Sequence, residues 1–197
     1  MWLIATFPSK NYNIDDYPAV KQHLLSFGYN RLKQTGEIGA RKKTNNKWFE
    51  TQDSISYSED FFRPKIIYPN MTKFLPFVYD EDCFLTNQKC FIVIGNNIAY
   101  LTAFFNSSLF KYSFRDNFPE LQGGTRELSK IFFDKIPVKK IDANIEKIFR
   151  KLVLQIQTSK RQNKDSKQFE QQIDELIFDI YELIDEERQT IGFIEIV

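Results

Sequence analysis

Apolar residues along this chain change their period several times, and each change marks an element. From Asp15, the stretch DDYPAVKQHLLSFGYNRLKQTGE puts acidic residues and Pro18 at a helix start, where the first turn has free N–H groups and tolerates proline. Val20, Leu24, Leu25, Phe27 and Leu32 fall mostly on one face, which predicts a helix over about 16–34, ended near Gly36. GARKKTNNKWFETQD follows, polar and glycine-flanked, and reads as a loop running into a short element at Trp48–Thr51. RPKIIYPNM and FLPFVYD cluster β-branched and aromatic residues between proline and asparagine breaks, the mark of strands. DCFLTNQKCFIVIG has the form of a hairpin turning around Thr86–Lys89, and Pro64, Pro69 and Pro76 assign these strands to edges or bulges.

After an asparagine cap at Asn96 or Asn97 the period lengthens. Ile98, Leu101, Phe104, Phe105, Leu109 and Tyr112 recur three and four residues apart and predict a central helix. LQGGTRELSKIFFDKIPV then reads as a loop and a last strand from about Glu127 to Val138, with imperfect alternation of Leu128, Ile131, Phe133 and Ile136. Beyond Pro137, Ile145, Ile148, Phe149, Leu152 and Ile156 make one helical stripe, and Phe169, Ile173, Leu176, Ile177, Ile180 and Ile184 make another. Two helices folded as a hairpin are the economical reading, and one continuous helix is the alternative, since TSKRQNKDSK holds neither proline nor glycine. The fold class is α+β: a twisted mixed or antiparallel β-sheet with packed helices, followed by a C-terminal α-helical hairpin. The domain boundary falls near residue 140, giving 1–140 and 141–197.

Composition adds an asymmetry. A 42% hydrophobic share and twenty Phe in 197 residues exclude a disordered tail, and the net charge is only +1. Residues 1–140, however, carry 19 Lys and Arg against 14 Asp and Glu, while residues 141–197 carry 8 against 12. Within the first part Arg31, Lys33, Arg41, Lys42, Lys43 and Lys47 face only Glu37, a local electropositive patch of the kind that attracts phosphates. The blander reading is a solvated loop. Two cysteines, Cys83 and Cys90, and one histidine, His23, supply neither a disulfide framework nor zinc-ligand spacing, which fits a reducing cytoplasm. The opening MWLIATFP is too short for a membrane span and reads as a strand end continuing from something upstream.

Templates for catalysis find no match. Gly123-Gly124 lacks the Lys-Ser/Thr of a phosphate loop, and no nucleophile elbow occurs. His23 has no partner for acid–base work, and Asp80, Glu81 and Asp82 read as a solvated turn rather than metal ligands. What remains is a binding surface. Lys42, Lys43, Asn45, Asn46, Lys47 and Gln52 form one set, and Gln122, Thr125 and Arg126 another, with the vocabulary that reads base edges: Arg or Lys for guanine, Asn or Gln for adenine.

The segments YPAVKQHLLSFGYNRLKQTGE, GARKKTNNKWFETQD, PKIIYPNM, FLTNQKCFIVIG, YLTAFFNSSLFKYSF and GGTRELSKIFFDKIPV, in that order and followed by QIDELIFDIYELIDEE, resemble the TaqI-like C-terminal specificity domain. That domain occurs in bacterial adenine-specific DNA methyltransferases and in type IIG restriction-modification enzymes. The Lys-Ile-Pro exit is also similar to the end of target recognition domains in type I specificity subunits. The resemblance implies a target recognition domain over 1–140 that reads double-stranded DNA, mainly through the major groove. A separate methyltransferase domain, the partner, then flips the adenine and transfers a methyl group from S-adenosylmethionine. An Asn-Pro-Pro-aromatic tetrapeptide and a Gly-rich cofactor loop are both missing from the sequence, so no cofactor and no catalysis are expected in this chain. The sequence departs from the parent enzymes in lacking that catalytic part, as an excised fragment or a remnant reading frame would.

On this reading Arg41, Lys42, Lys43 and Lys47 contact phosphates and set register, and Asn45, Asn46, Gln122, Thr125 and Arg126 read bases. Gly123, Gly124 and Lys130 complete the DNA-binding set. The plain alternative is that Gly123-Gly124 only turns the chain and that Arg126 pairs with Asp116 or Glu120. Trp48 and Phe49 read as core residues rather than stacking partners for an extruded base. The helices of 141–197 dock on the methyltransferase domain or pair two copies as a homodimer. A protein–protein adaptor of a restriction-modification or phage-defence complex, without direct DNA contact, is the rival reading.

Overall fold

The computed structural model describes residues 3–53 and 55–196, which divide into two compact units, Met1–Ser58 and Glu59–Val197. The first unit is built mainly of turns. Its longest helix, α1 (Pro18–Leu25), starts on a proline whose missing N–H would have no partner in a first turn. The single helix expected over 16–34 does not form, because Gly28 takes φ 93° and leads the chain out of α1 before α2 (Tyr29–Leu32) resumes. Val20 and Leu24 of the expected apolar face are half-buried, whereas Leu25 and Phe27 are exposed. Around Trp48–Thr51 there is a turn and no regular element. Phe49 is nonetheless buried, and the Trp48 ring meets Phe49 and Tyr29 edge-on.

The second unit opens with four strands, β1 (Lys65–Pro69), β2 (Met71–Thr72), β3 (Val78–Asp80) and β4 (Cys90–Ile94). β1 is the centre of an antiparallel sheet in the order β3-β1-β4, with Ile66 opposite Tyr79 on one side and Val93 on the other. The prolines therefore do not make β1 an edge: Pro64 precedes it and Pro69 is its last residue, so they bracket the strand. The expected hairpin in 82–94 is also absent. Only Cys90–Ile94 is a strand, while the Asp80 carboxylate accepts the N–H groups of Asp82 and Phe84 and bends the chain away from extension.

The central helix is two helices, α3 (Ile98–Asn106) and α4 (Ser108–Phe114). Ser107 between them is extended, and its hydroxyl donates to Phe104 O while accepting from Phe110 N, closing one helix and capping the next. Next come β5 (Glu120–Leu121) and β6 (Thr125–Glu127), which with β2 form a second antiparallel sheet ordered β2-β6-β5. The long strand expected over 127–138 is replaced by the end of β6 and a short helix, α5 (Lys130–Phe133). Leu128, Phe132 and Ile136, four apart, turn inward while Ile131 is exposed, so the apolar spacing is helical.

α6 (Ala143–Arg161) and α7 (Lys167–Tyr181) form the expected hairpin, turning where Asn163 takes a positive φ, and α8 (Asp185–Ile191) follows. The hairpin shares one core with the sheet and α3–α4: Phe149, Leu152, Val153, Ile156, Ile173, Ile177 and Phe178 join Ile66, Tyr79, Phe104 and Phe110. Polar groups fasten the same seam. Glu146 accepts the N–H groups of Ala99 and Tyr100 at 2.9 Å, and Asp174 accepts Ser108 N at 2.8 Å, so carboxylates from α6 and α7 cap the N-termini of α3 and α4. Under the sheet, Lys65 and Asp80 form a fully buried ion pair, and Lys65 also donates to Phe61 O. Among the described residues no helix is long and apolar enough to cross a membrane.

Candidate nucleic-acid interface

The basic loop of the first unit is fastened from within by a buried glutamine. Gln34 Nε2 donates to Lys47 O and Glu50 O at 2.9 Å, and its Oε1 accepts Thr44 Oγ1. The buried Glu50 carboxylate accepts Lys47 N at 2.7 Å, and Gly36 N and Arg41 N bond to Arg41 O and Lys33 O across the loop. Buried polar side chains hold their geometry tightly when every group is paired, so this loop is preformed.

The same scaffold divides the basic residues into two kinds. Arg41 donates through Nε to Leu32 O at 2.9 Å and through Nη2 to Trp48 O. Asn46 donates to Thr51 O and Gln52 O at 2.9 and 3.0 Å. Lys47 lies 3.8 Å from Glu50, bonds weakly to Tyr12 O and sits over the Phe49 ring. Lys42, Lys43 and Asn45 are exposed, and among the described residues they have no side-chain hydrogen bond or ion pair. Gln34 and Glu50, which organise the loop, carry no signal in the sequence that would have singled them out.

In the second unit the Gly-Gly stretch is the tip of a β-ribbon. Leu121 pairs with Thr125 and Glu120 with Arg126, leaving Gln122, Gly123 and Gly124 as the connection. Gly123 and Gly124 take φ 78° and 75°, a pair of left-handed conformations that a side chain would strain, and no atom approaches within 4 Å of where a Cβ would stand. Gln122 and Gly123 are exposed, and Thr125 donates its hydroxyl to Gln122 O. Arg126 is different: it is only 7% exposed, and its guanidinium bonds to Arg115 O, Phe118 O, Glu120 and Asp116. Lys130 is exposed and pairs with Asp134 one helical turn on.

Two of the three carboxylates of the acidic turn are held in ion pairs. Asp80 is held by Lys65, and Glu81 receives two guanidinium bonds at 2.7 Å from Arg150, which hold its carboxyl below the usual range. Among the described residues no group of His, Cys, Asp and Glu is arranged to hold a metal ion.

Exposed donors and acceptors on loops fastened from beneath are the build of a binding module. The model of one family, the TaqI-like C-terminal specificity domain, matches residues 13–138, more than half of the chain, and the chain belongs to that family. The match takes in both loops and ends at Val138, ahead of α6. The family is one of specificity modules associated with DNA methyltransferases; its part is the choice of target, not the chemistry.

Proposed function

We propose that this chain is the sequence-specific, double-stranded DNA recognition module of a bacterial restriction-modification adenine-N6 methyltransferase, of the type IIG kind when the parent also carries an endonuclease. Family membership supports the DNA-methyltransferase setting. The observation that carries the reading to this surface is the trio Lys42, Lys43 and Asn45, exposed and, among the described residues, without side-chain partners on a loop where Arg41, Asn46 and Lys47 are engaged. The two lysines set register on phosphates, while Asn45, Gln122 and Thr125 meet base edges. Arg41, Asn46 and Lys47 act from behind, by holding the loop. S-adenosylmethionine belongs to the separate methyltransferase domain, and the working compartment is the cytoplasm.

A titration with mixed-sequence duplex at low and moderate salt tests this. Binding that weakens steeply between about 50 and 200 mM salt is expected, because each neutralised phosphate releases counterions. No binding at the lowest salt would favour a protein–protein adaptor without DNA contact. The near-neutral net charge and the exposed Leu25, Phe27, Tyr29 and Ile38 of the first unit favour that second reading. The same exposed residues also suit docking to the methyltransferase domain.

A further inference from the structure

An arginine that reads guanine directs two N–H groups at one base edge. The contacts of Arg126 leave it nothing to direct. Nη1 donates to Phe118 O at 2.7 Å and Arg115 O at 3.2 Å, Nη2 lies 3.1 Å from Glu120 and 3.0 Å from Asp116, and Nε is buried without a partner. Turning outward would break four contacts, three that tie the Arg115–Phe118 turn to β6 and one that ties β5 to it. It would also release two carboxylates beside the ribbon, since the Asp116 side chain is 91% exposed and that of Glu120 58%. Unmasked, both would face any polyanion that approached the Gln122–Gly124 tip, and like charges at that range repel over about 8–10 Å in physiological salt.

We propose that Arg126 is a positioning residue that masks Asp116 and Glu120, so that the Gln122–Gly124 tip can meet a nucleic-acid phosphate backbone without repulsion. It acts through those two carboxylates and touches no base. The inference rests on the DNA-binding reading above.

The test compares four forms of the 197-residue chain: wild type, Arg126→Ala, Asp116→Asn/Glu120→Gln, and the triple variant. Their affinities are measured for a duplex enriched from a random pool on wild type and for an unselected duplex. Hydrogen exchange over 115–127 is followed in parallel. Arg126→Ala is expected to weaken both duplexes about tenfold, with faster exchange in the ribbon. Neutralising the carboxylates should recover most of that loss in the Arg126→Ala background while changing wild type by less than about threefold. The proposal fails if the triple variant binds no better than Arg126→Ala, or if Arg126→Ala loses affinity only for the selected duplex, as a direct base contact would. If wild type binds neither duplex, the DNA-binding reading fails instead. Unchanged exchange in Arg126→Ala would then overturn the positioning role as well.

Discussion

The side chain of Asn106 is paired to the backbone of Phe77 from both ends of its amide: Nδ2 donates to Phe77 O at 2.7 Å and Oδ1 accepts Phe77 N at 3.3 Å. Two residues along, Gln157 does the same for Tyr79, at 2.8 and 3.0 Å. One amide from α3 and one from α6 thus occupy the backbone groups of Tyr79 in β3, the edge of its sheet, and of Phe77 just before it. An edge with its N–H and C=O groups already bonded offers no template to another strand.

Replacing Asn106 by Ala should therefore destabilise more than its size suggests. Asn106 is buried, and its loss leaves the Phe77 N–H and C=O without partners; at about 1–3 kcal/mol per buried unsatisfied group, a loss of about 2–6 kcal/mol is expected. Gln157→Ala, at a half-buried site that water reaches, should lose less. Urea unfolding of the two variants measures the difference.

Asp174 gives the fold a pH dependence of unusual sign. Burial pushes its carboxyl up to about 6, against the lowering effect of its bonds from Ser108. A carboxyl raised in the folded state favours folding when protonated, so its contribution is full below the ordinary carboxylate range and is lost as pH rises to about 6. Relative to Asp174→Asn, wild type should lose on the order of 2–3 kcal/mol between about pH 4 and 6 and run parallel above that. Denaturant unfolding across this range measures it, and parallel curves throughout would remove Asp174 as the cause.

Lys65 and Asp80 should behave as a unit. Lys65→Met leaves a buried carboxylate facing only the N–H groups of Asp82 and Phe84, at an expected loss of about 3–5 kcal/mol. Lys65→Met with Asp80→Asn should recover much of that, because no unpaired charge remains. A double-mutant cycle on unfolding free energies reads the coupling.

The basic residues should separate by phenotype. Lys42→Ala and Lys43→Ala should each lower the salt dependence of duplex binding by about one unit, equally on selected and unselected DNA, with no change in unfolding. Arg41→Ala should destabilise the first unit, because it frees Leu32 O and Trp48 O. Anisotropy titrations over a salt series, with thermal melts alongside, distinguish the two classes.

Legibility in the sequence followed the range of the interactions. α6 and α7 were readable because their apolar stripes repeat at the helical period over four or more turns. The break at Ser107 was not, since a serine within a helical pattern is neutral until Asp174, 66 residues beyond Ser108, caps the helix that starts there. The stretch 127–138 misleads on period: Leu128, Phe132 and Ile136 carry the helical spacing, whereas Ile131 and Phe133 suggest alternation. At the candidate interface the charge was visible and its disposition was not. Arg41 and Asn46 bond to backbone carbonyls, which every residue possesses, so their sequence neighbours give no sign of it.

The caps on α3 and α4 set the terms on which this segment can be moved between proteins. A ribosome that has delivered Val138 has delivered the whole family match, yet Glu146 and Asp174 are still to come: α3 then begins without a side-chain cap and α4 with only that of Ser107. An enzyme engineer who transplants 13–138 alone moves the Gln122–Gly124 tip without the carboxylates that cap α3 and α4 in its own unit. A workable graft has to run on through α7.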